Sequence, residues 1–142
     1  MKILLRLVLL LLLTNTVCFG QSPKKVVKID REDFLTKVVD YTKDSTGWNY
    51  LGDKPAIIDF YADWCKPCKI VSPILDKLAK EYSGRIYIYK VNVDEQKQLA
   101  KEIGISSIPT IIFSPLEKEP RILVGAQSEE QLREYIENIL LN

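Results

Sequence analysis

Asp63-Trp64-Cys65-Lys66-Pro67-Cys68-Lys69 follows the apolar run Ala56 to Tyr61 and leads into apolar residues at helical spacing, Ile70, Ile74, Leu78 and Tyr82, with Val71 and Leu75 beside them. A strand that breaks directly into a helix puts both cysteines at the helix start. Free backbone N–H groups and the positive end of the helix dipole stabilise a thiolate there, so Cys65 is expected to be the attacking sulfur. Pro67 suits a first turn, where its missing N–H has no partner to lose. Cys68, one turn on, is placed to resolve a mixed disulfide held on Cys65. Two thiols at this spacing can form and break one disulfide, and the stretch reads as a redox centre.

Working outward, Ala56 to Tyr61 is apolar enough to be a central strand buried on both faces. Asp59 is its anomaly: loss of hydration should raise its pKa toward a value useful for proton transfer, whereas an ion-paired structural Asp is the plainer reading. Pro73 falls inside the following helix and should bend it. Arg85 to Asn92 alternates in the manner of a strand, and Asp94 is expected to cap a short helix carrying Leu99 and Ile103 that ends at Gly104. Pro109, read alone, is a turn proline before the strand Ile111 to Phe113. Ser128-Glu129-Glu130-Gln131 is a capping box, opening a last helix with Leu132, Tyr135, Ile136, Ile139 and Leu140 inward.

Upstream, Val26 to Ile29 suits a first strand, followed by a helix that Asp30 or Asp33 would cap and that turns Phe34, Leu35, Val38 and Val39 inward. Thr42 to Lys54 is rich in turn formers and reads as a loop. Its Trp48, Tyr50 and Leu51 are expected either to pack back on the domain or to meet a partner. Residues 1–20 differ from the rest: Lys2 and Arg6 precede the apolar run Leu7 to Leu13, a pattern expected of a secretory signal peptide cleaved after Gly20 and leaving one domain, 21–142. That run falls short of a membrane-spanning length.

The chain has 142 residues, 20 basic against 19 acidic, 3 cysteines and no histidine. Losing Lys2 and Arg6 with the leader takes the 20 basic residues to 18 against 19 acidic, a formal charge of −1. Such a balance gives no footprint for nucleic acid. Cys18 would leave with the leader, so Cys65 and Cys68 would pair only with each other or with a partner protein. The lack of histidine excludes a Cys-His hydrolase, and two cysteines fall short of the four ligands of structural zinc unless two chains share the ion.

WCKPC between the strand IIDFYAD and the helix KIVSPILDKLAKEY, with KVNVDE, GISSIPT and VGAQSEEQL further on, resembles the thioredoxin family from roughly Val26 to the C-terminus. The resemblance implies an α/β thioredoxin fold, a central mixed sheet flanked by helices on both faces. It implies that Asp59 moves protons to and from Cys68, that Lys90 either tunes Asp59 or is a solvated strand-end lysine, and that Pro109 is a cis-proline against the cysteines. Trp64, Lys66, Pro67, Ile108, Pro109 and Gly125 would then form the substrate contact surface, with Gly125 serving either backbone geometry or an unobstructed groove.

The expected function is an exported thiol-disulfide oxidoreductase, in the periplasm or else secreted, monomeric and free of cofactors, that reduces disulfides in substrate proteins and draws electrons from a membrane donor or other redox partner. A disulfide-donating oxidase or isomerase of the same fold stands beside it, because Lys66 adds a cation next to Cys65. A peptide-binding module with a structural disulfide is the reading from another class.

Overall fold

The computed structural model describes residues 25–43 and 47–142. The expected leader, 1–20, and the middle of the Thr42 to Lys54 loop lie outside the described residues.

Five strands form one sheet: β1 (Val27–Lys28), β2 (Ala56–Tyr61), β3 (Tyr87–Asn92), β4 (Thr110–Ser114) and β5 (Arg121–Val124), in the order β1-β3-β2-β4-β5. Pairing is parallel from β1 to β3 to β2 and antiparallel from β2 to β4 to β5, so the sheet is mixed. Every residue of β2 is buried, as a strand covered on both faces must be. Helices α1 (Arg31–Lys37) and α3 (Lys97–Ile103) pack on one face, where Phe34, Leu99, Ile58, Phe60 and Ile112 make a core. Helices α2 (Lys66–Glu81) and α4 (Glu129–Tyr135) pack on the other, where Val71, Leu75, Leu78 and Leu132 meet Ile57, Ile111 and Phe113. Residues 136–140 continue α4 with one π turn.

Local signals explain most element ends. Asp30 caps α1 by accepting the Asp33 N–H, Ser128 and Gln131 make the reciprocal capping box of α4, and Gly104 ends α3 at φ 80°. Asp94 does not cap α3: the cap position is Gln96, whose side chain makes no capping bond and accepts the Arg31 N–H instead, while the Asp94 carboxylate is taken by the Trp64 indole. Helix α2 starts at Lys66, so its inward stripe runs through Val71, Leu75 and Leu78, and Ile70 stands 61% exposed rather than inward. Pro73 lies inside α2 on its exposed side. Leu35 is only half-buried, since α1 turns Phe34 to the sheet.

The long connection before β2 is tied down from its aromatic end. Trp48 stacks edge-on against Phe34 at 6.2 Å and donates its indole N–H to the buried Ser114 hydroxyl at 2.8 Å. Tyr50 donates to the Lys54 carbonyl at 2.7 Å. Both pack back on the domain, whereas Leu51 stays exposed. On the same side a bidentate Arg31 guanidinium, the Tyr41 hydroxyl and Gln98 converge on Glu102, tying the start of α1 to the end of α3.

Trp48→Phe keeps most of the ring but leaves Ser114 without its donor, and should cost about 1–2 kcal/mol in urea unfolding. Trp48→Phe combined with Ser114→Ala should recover part of that loss; a single variant as stable as the parent would contradict the staple.

Candidate active site

Cys65 is the N-cap residue of α2, and its sulfur accepts the backbone N–H of Cys68 at 3.2 Å. A helix of 16 residues therefore aims its first-turn donors and its dipole at that sulfur. The two cysteines are joined by a disulfide, S–S 2.06 Å. Both are 3% exposed, so accessibility does not distinguish them; the N–H bond falls on the Cys65 sulfur. Tyr61, Ala62, Val93 and Ile108 pack around the pair.

The expected contact residues gather at this end of the sheet. Trp64 is 68% exposed, fixed by donating its indole N–H to Asp94 at 2.8 Å, which is the role Asp94 takes in place of helix capping. Lys66 and Pro67 are exposed in the first turn of α2. The Ile108–Pro109 peptide is cis, and the Pro109 carbonyl accepts the Gly125 N–H at 2.8 Å, joining these segments. Among the described residues the Ile108 N–H and carbonyl have no backbone partner, so they remain open to an added strand. Gly125 sits at φ 92°, and a Cβ built there meets nothing within 4 Å. Backbone conformation requires the glycine, and any side chain at that point would project into open space beside Pro109.

On the central strand, register does the positioning. Asp59 pairs with Lys90 on β3 and with Ile111 on β4, and side chains of paired residues share a face, here the face covered by α2. Asp59 is 0% exposed, and neither carboxyl oxygen has a hydrogen-bond partner. The Lys90 ammonium lies 3.6 Å from Asp59 Oδ2, beyond hydrogen-bond reach, and donates instead to Ser72 Oγ at 2.6 Å. Burial pushes the Asp59 carboxyl up to about 6, and the attraction of Lys90 only partly opposes it. Lys90 is itself buried, so it is no solvated strand-end lysine. A cavity of about 110 Å³, walled by Cys68, Tyr61, Ser72 and Lys90 among others, brings the second cysteine beside the Lys90–Ser72 pair and is large enough for water; Asp59 itself does not line it.

The arrangement can form and break one disulfide between Cys65 and Cys68, and it holds a buried acid on the face of the sheet that α2 covers. Sequence reasoning missed Ser72 and the buried Tyr61 hydroxyl, which also lacks a partner. Ser72 stands one helical turn after Cys68, a spacing that could have shown it facing the same side.

Comparison with known proteins gives a consistent result. The thioredoxin family model matches residues 25–138. A thioredoxin of Borreliella burgdorferi is 44% identical over 112 residues, covering 79% of this chain and 95% of that protein. A chloroplastic M-type thioredoxin of Spinacia oleracea is 43% identical over 86 residues, 61% of this chain and 48% of that protein. The crystal structure of chloroplastic thioredoxin z superposes with a TM-score of 0.67 at 28% identity, over 81% of this chain and 94% of that one.

Because Asp59 holds its proton up to about pH 6 in the folded chain, against an ordinary value of 3.8, the unfolded chain binds fewer protons between those limits. Stability should fall as pH rises through that window and stay lowered above it. Asp59→Asn removes the penalty and should be more stable than the parent by up to about 3 kcal/mol at pH 8, the gap closing near pH 4, as read from denaturant midpoints.

Proposed function

The chain belongs to the thioredoxin family, and on that footing we propose that it works as an exported protein-disulfide reductase. Thioredoxin-type disulfide exchange is the family's chemistry; the reducing direction and the export are this proposal. The observation that carries it is the Cys65–Cys68 pair at the start of α2, in a domain whose central strand holds a buried acid, Asp59, that no donor satisfies.

In the reduced chain the Cys65 thiolate attacks a substrate disulfide, forming a mixed disulfide and releasing one substrate thiolate. Cys68 then attacks the Cys65 sulfur, the second substrate sulfur leaves, and the chain is left with the Cys65–Cys68 disulfide. Two electrons pass to the substrate and no cofactor is required. Asp59 takes the proton that Cys68 must lose to become a nucleophile, and a carboxyl group with a pKa of about 6 can return it near neutral pH. Trp64, Lys66, Pro67, Ile108, Pro109 and Gly125 hold the substrate segment, with the open Ile108 backbone adding it as a short strand.

Lys66 favours the opposite direction, since a cation beside Cys65 stabilises the reduced state and makes the pair more oxidising. An exposed lysine has a small effect of this kind. Export rests on the composition of residues 1–20, with the periplasm as the compartment. A cytoplasmic reductase does not reach it there, so a membrane protein must deliver its electrons. The chain is proposed to act as a monomer.

Cys68→Ser is expected to accumulate mixed disulfides between Cys65 and exported proteins, seen as reducible higher bands, whereas Cys65→Ser accumulates none. Complete absence of trapped partners in the native compartment would favour a binding module with a structural disulfide. Deleting the membrane electron donors should leave the pair oxidised in vivo; a pair that stays reduced would remove the donor from the scheme.

A further inference from the structure

Lys90 has three neighbours that compete for its ammonium group: the Ser72 hydroxyl at 2.6 Å, the Tyr61 ring at 4.3 Å and the Asp59 carboxyl at 3.6 Å. A buried ammonium beside a buried carboxyl would ordinarily close to a charge-assisted hydrogen bond. Here the contact stops short, and the hydrogen bond goes to a neutral hydroxyl on α2. We propose that Ser72 is a positioning residue that holds the Lys90 ammonium short of Asp59, so that this buried acid keeps its carboxyl oxygens free for the proton of Cys68. The inference rests on the proton-handling role assigned to Asp59 under the proposed function.

Ser72 is placed for this by the helix. It follows Cys68 by four residues, so both project from the same side of α2, and together with Lys90 they wall the cavity of about 110 Å³. The Ser72 and Lys90 side chains also wall a second, larger cavity of about 490 Å³ beside β1, so the hydrogen-bonded pair borders both. Without the hydroxyl, Lys90 loses its acceptor and the nearest anion is Asp59 Oδ2. A movement of less than 1 Å would bring the two within normal hydrogen-bond distance. The carboxylate would then be stabilised, and Asp59 would hold its proton less tightly.

Other groups around the cluster are fixed by the surrounding elements. Tyr61 extends from β2, Lys28 from β1 lies over the Tyr61 ring at 5.9 Å, Lys69 and Asp76 come from α2, and Asp63 from the turn before it. On β4 the residue paired with Asp59 is the apolar Ile111. Lys90 is the charge that acts on Asp59, so a change at Ser72 should reach the acid through Lys90.

The test is a carboxyl-carbon NMR titration of Asp59 in the oxidised protein, where neither cysteine titrates and no turnover is involved. Ser72→Ala should weaken proton binding at Asp59 by about tenfold, moving its midpoint down by about one pH unit. Ser72→Thr, which keeps the hydroxyl, should titrate with the parent. In a Lys90→Met background Ser72→Ala should leave the midpoint unmoved. A midpoint that stays or rises in Ser72→Ala overturns the proposal, as does a full shift in Ser72→Thr or one that persists without Lys90. Failure of the proton-handling role would appear separately, as an Asp59→Asn variant whose resolving step has the parent's pH profile.

Discussion

A carboxyl group enclosed between a sheet and a helix, with no hydrogen-bond donor of its own, is the constraint around which this molecule is arranged. Desolvation of Asp59 opposes folding at neutral pH, and the chain accepts that penalty only because β2 is the sheet's central strand and α2 seals the face above it. The same strand runs out into Asp63 and Trp64, and the same helix begins on Cys65. One strand–turn–helix unit therefore sets both the depth of the acid and the position of the sulfurs.

The face of the sheet away from the site is tied together by side chains. Helices on the opposite face are joined through Glu102, which the Arg31 guanidinium, Tyr41 and Gln98 hold well below the usual carboxylate range, down to about 2. These groups are solvent-accessible and contribute geometry more than energy. Trp48 closes the long connection onto Ser114 at the far end of β4. The site end of the domain, by contrast, leaves Trp64, Ile70, Lys66 and the Ile108 backbone unsealed. Stiff packing behind and open groups in front suit a surface that must accept and release partners.

What the amino-acid sequence reveals follows the distance over which each feature is set. Cys65, Pro67 and Cys68 were legible because a strand followed at once by a helix fixes them locally, and Asp59 because a lone acid stands out in an apolar run. The Ser128 capping box and Gly104 were equally local. Asp94 was misread because its short-range signal, an acid before a helix, competes with a long-range partner, the Trp64 indole. Ile70 was misplaced because helical spacing alone does not fix where the stripe is centred, and a start at Lys66 turns Val71 inward instead. The Asp59–Lys90–Ser72 arrangement depends on the register of β2 against β3 and on the rotation of α2, neither of which a single sequence encodes in a readable pattern. The cis-proline and the open Gly125 corner were accessible only through likeness to the thioredoxin family.

The central claim is that the Cys65–Cys68 pair passes electrons outward to substrate disulfides. Its most direct test is the reduction potential of the pair, measured by equilibrating the chain with defined thiol and disulfide buffers. A value near about −270 mV, that of a reducing thioredoxin, is the predicted result. A value near about −120 mV would contradict it and make the protein a donor of disulfides.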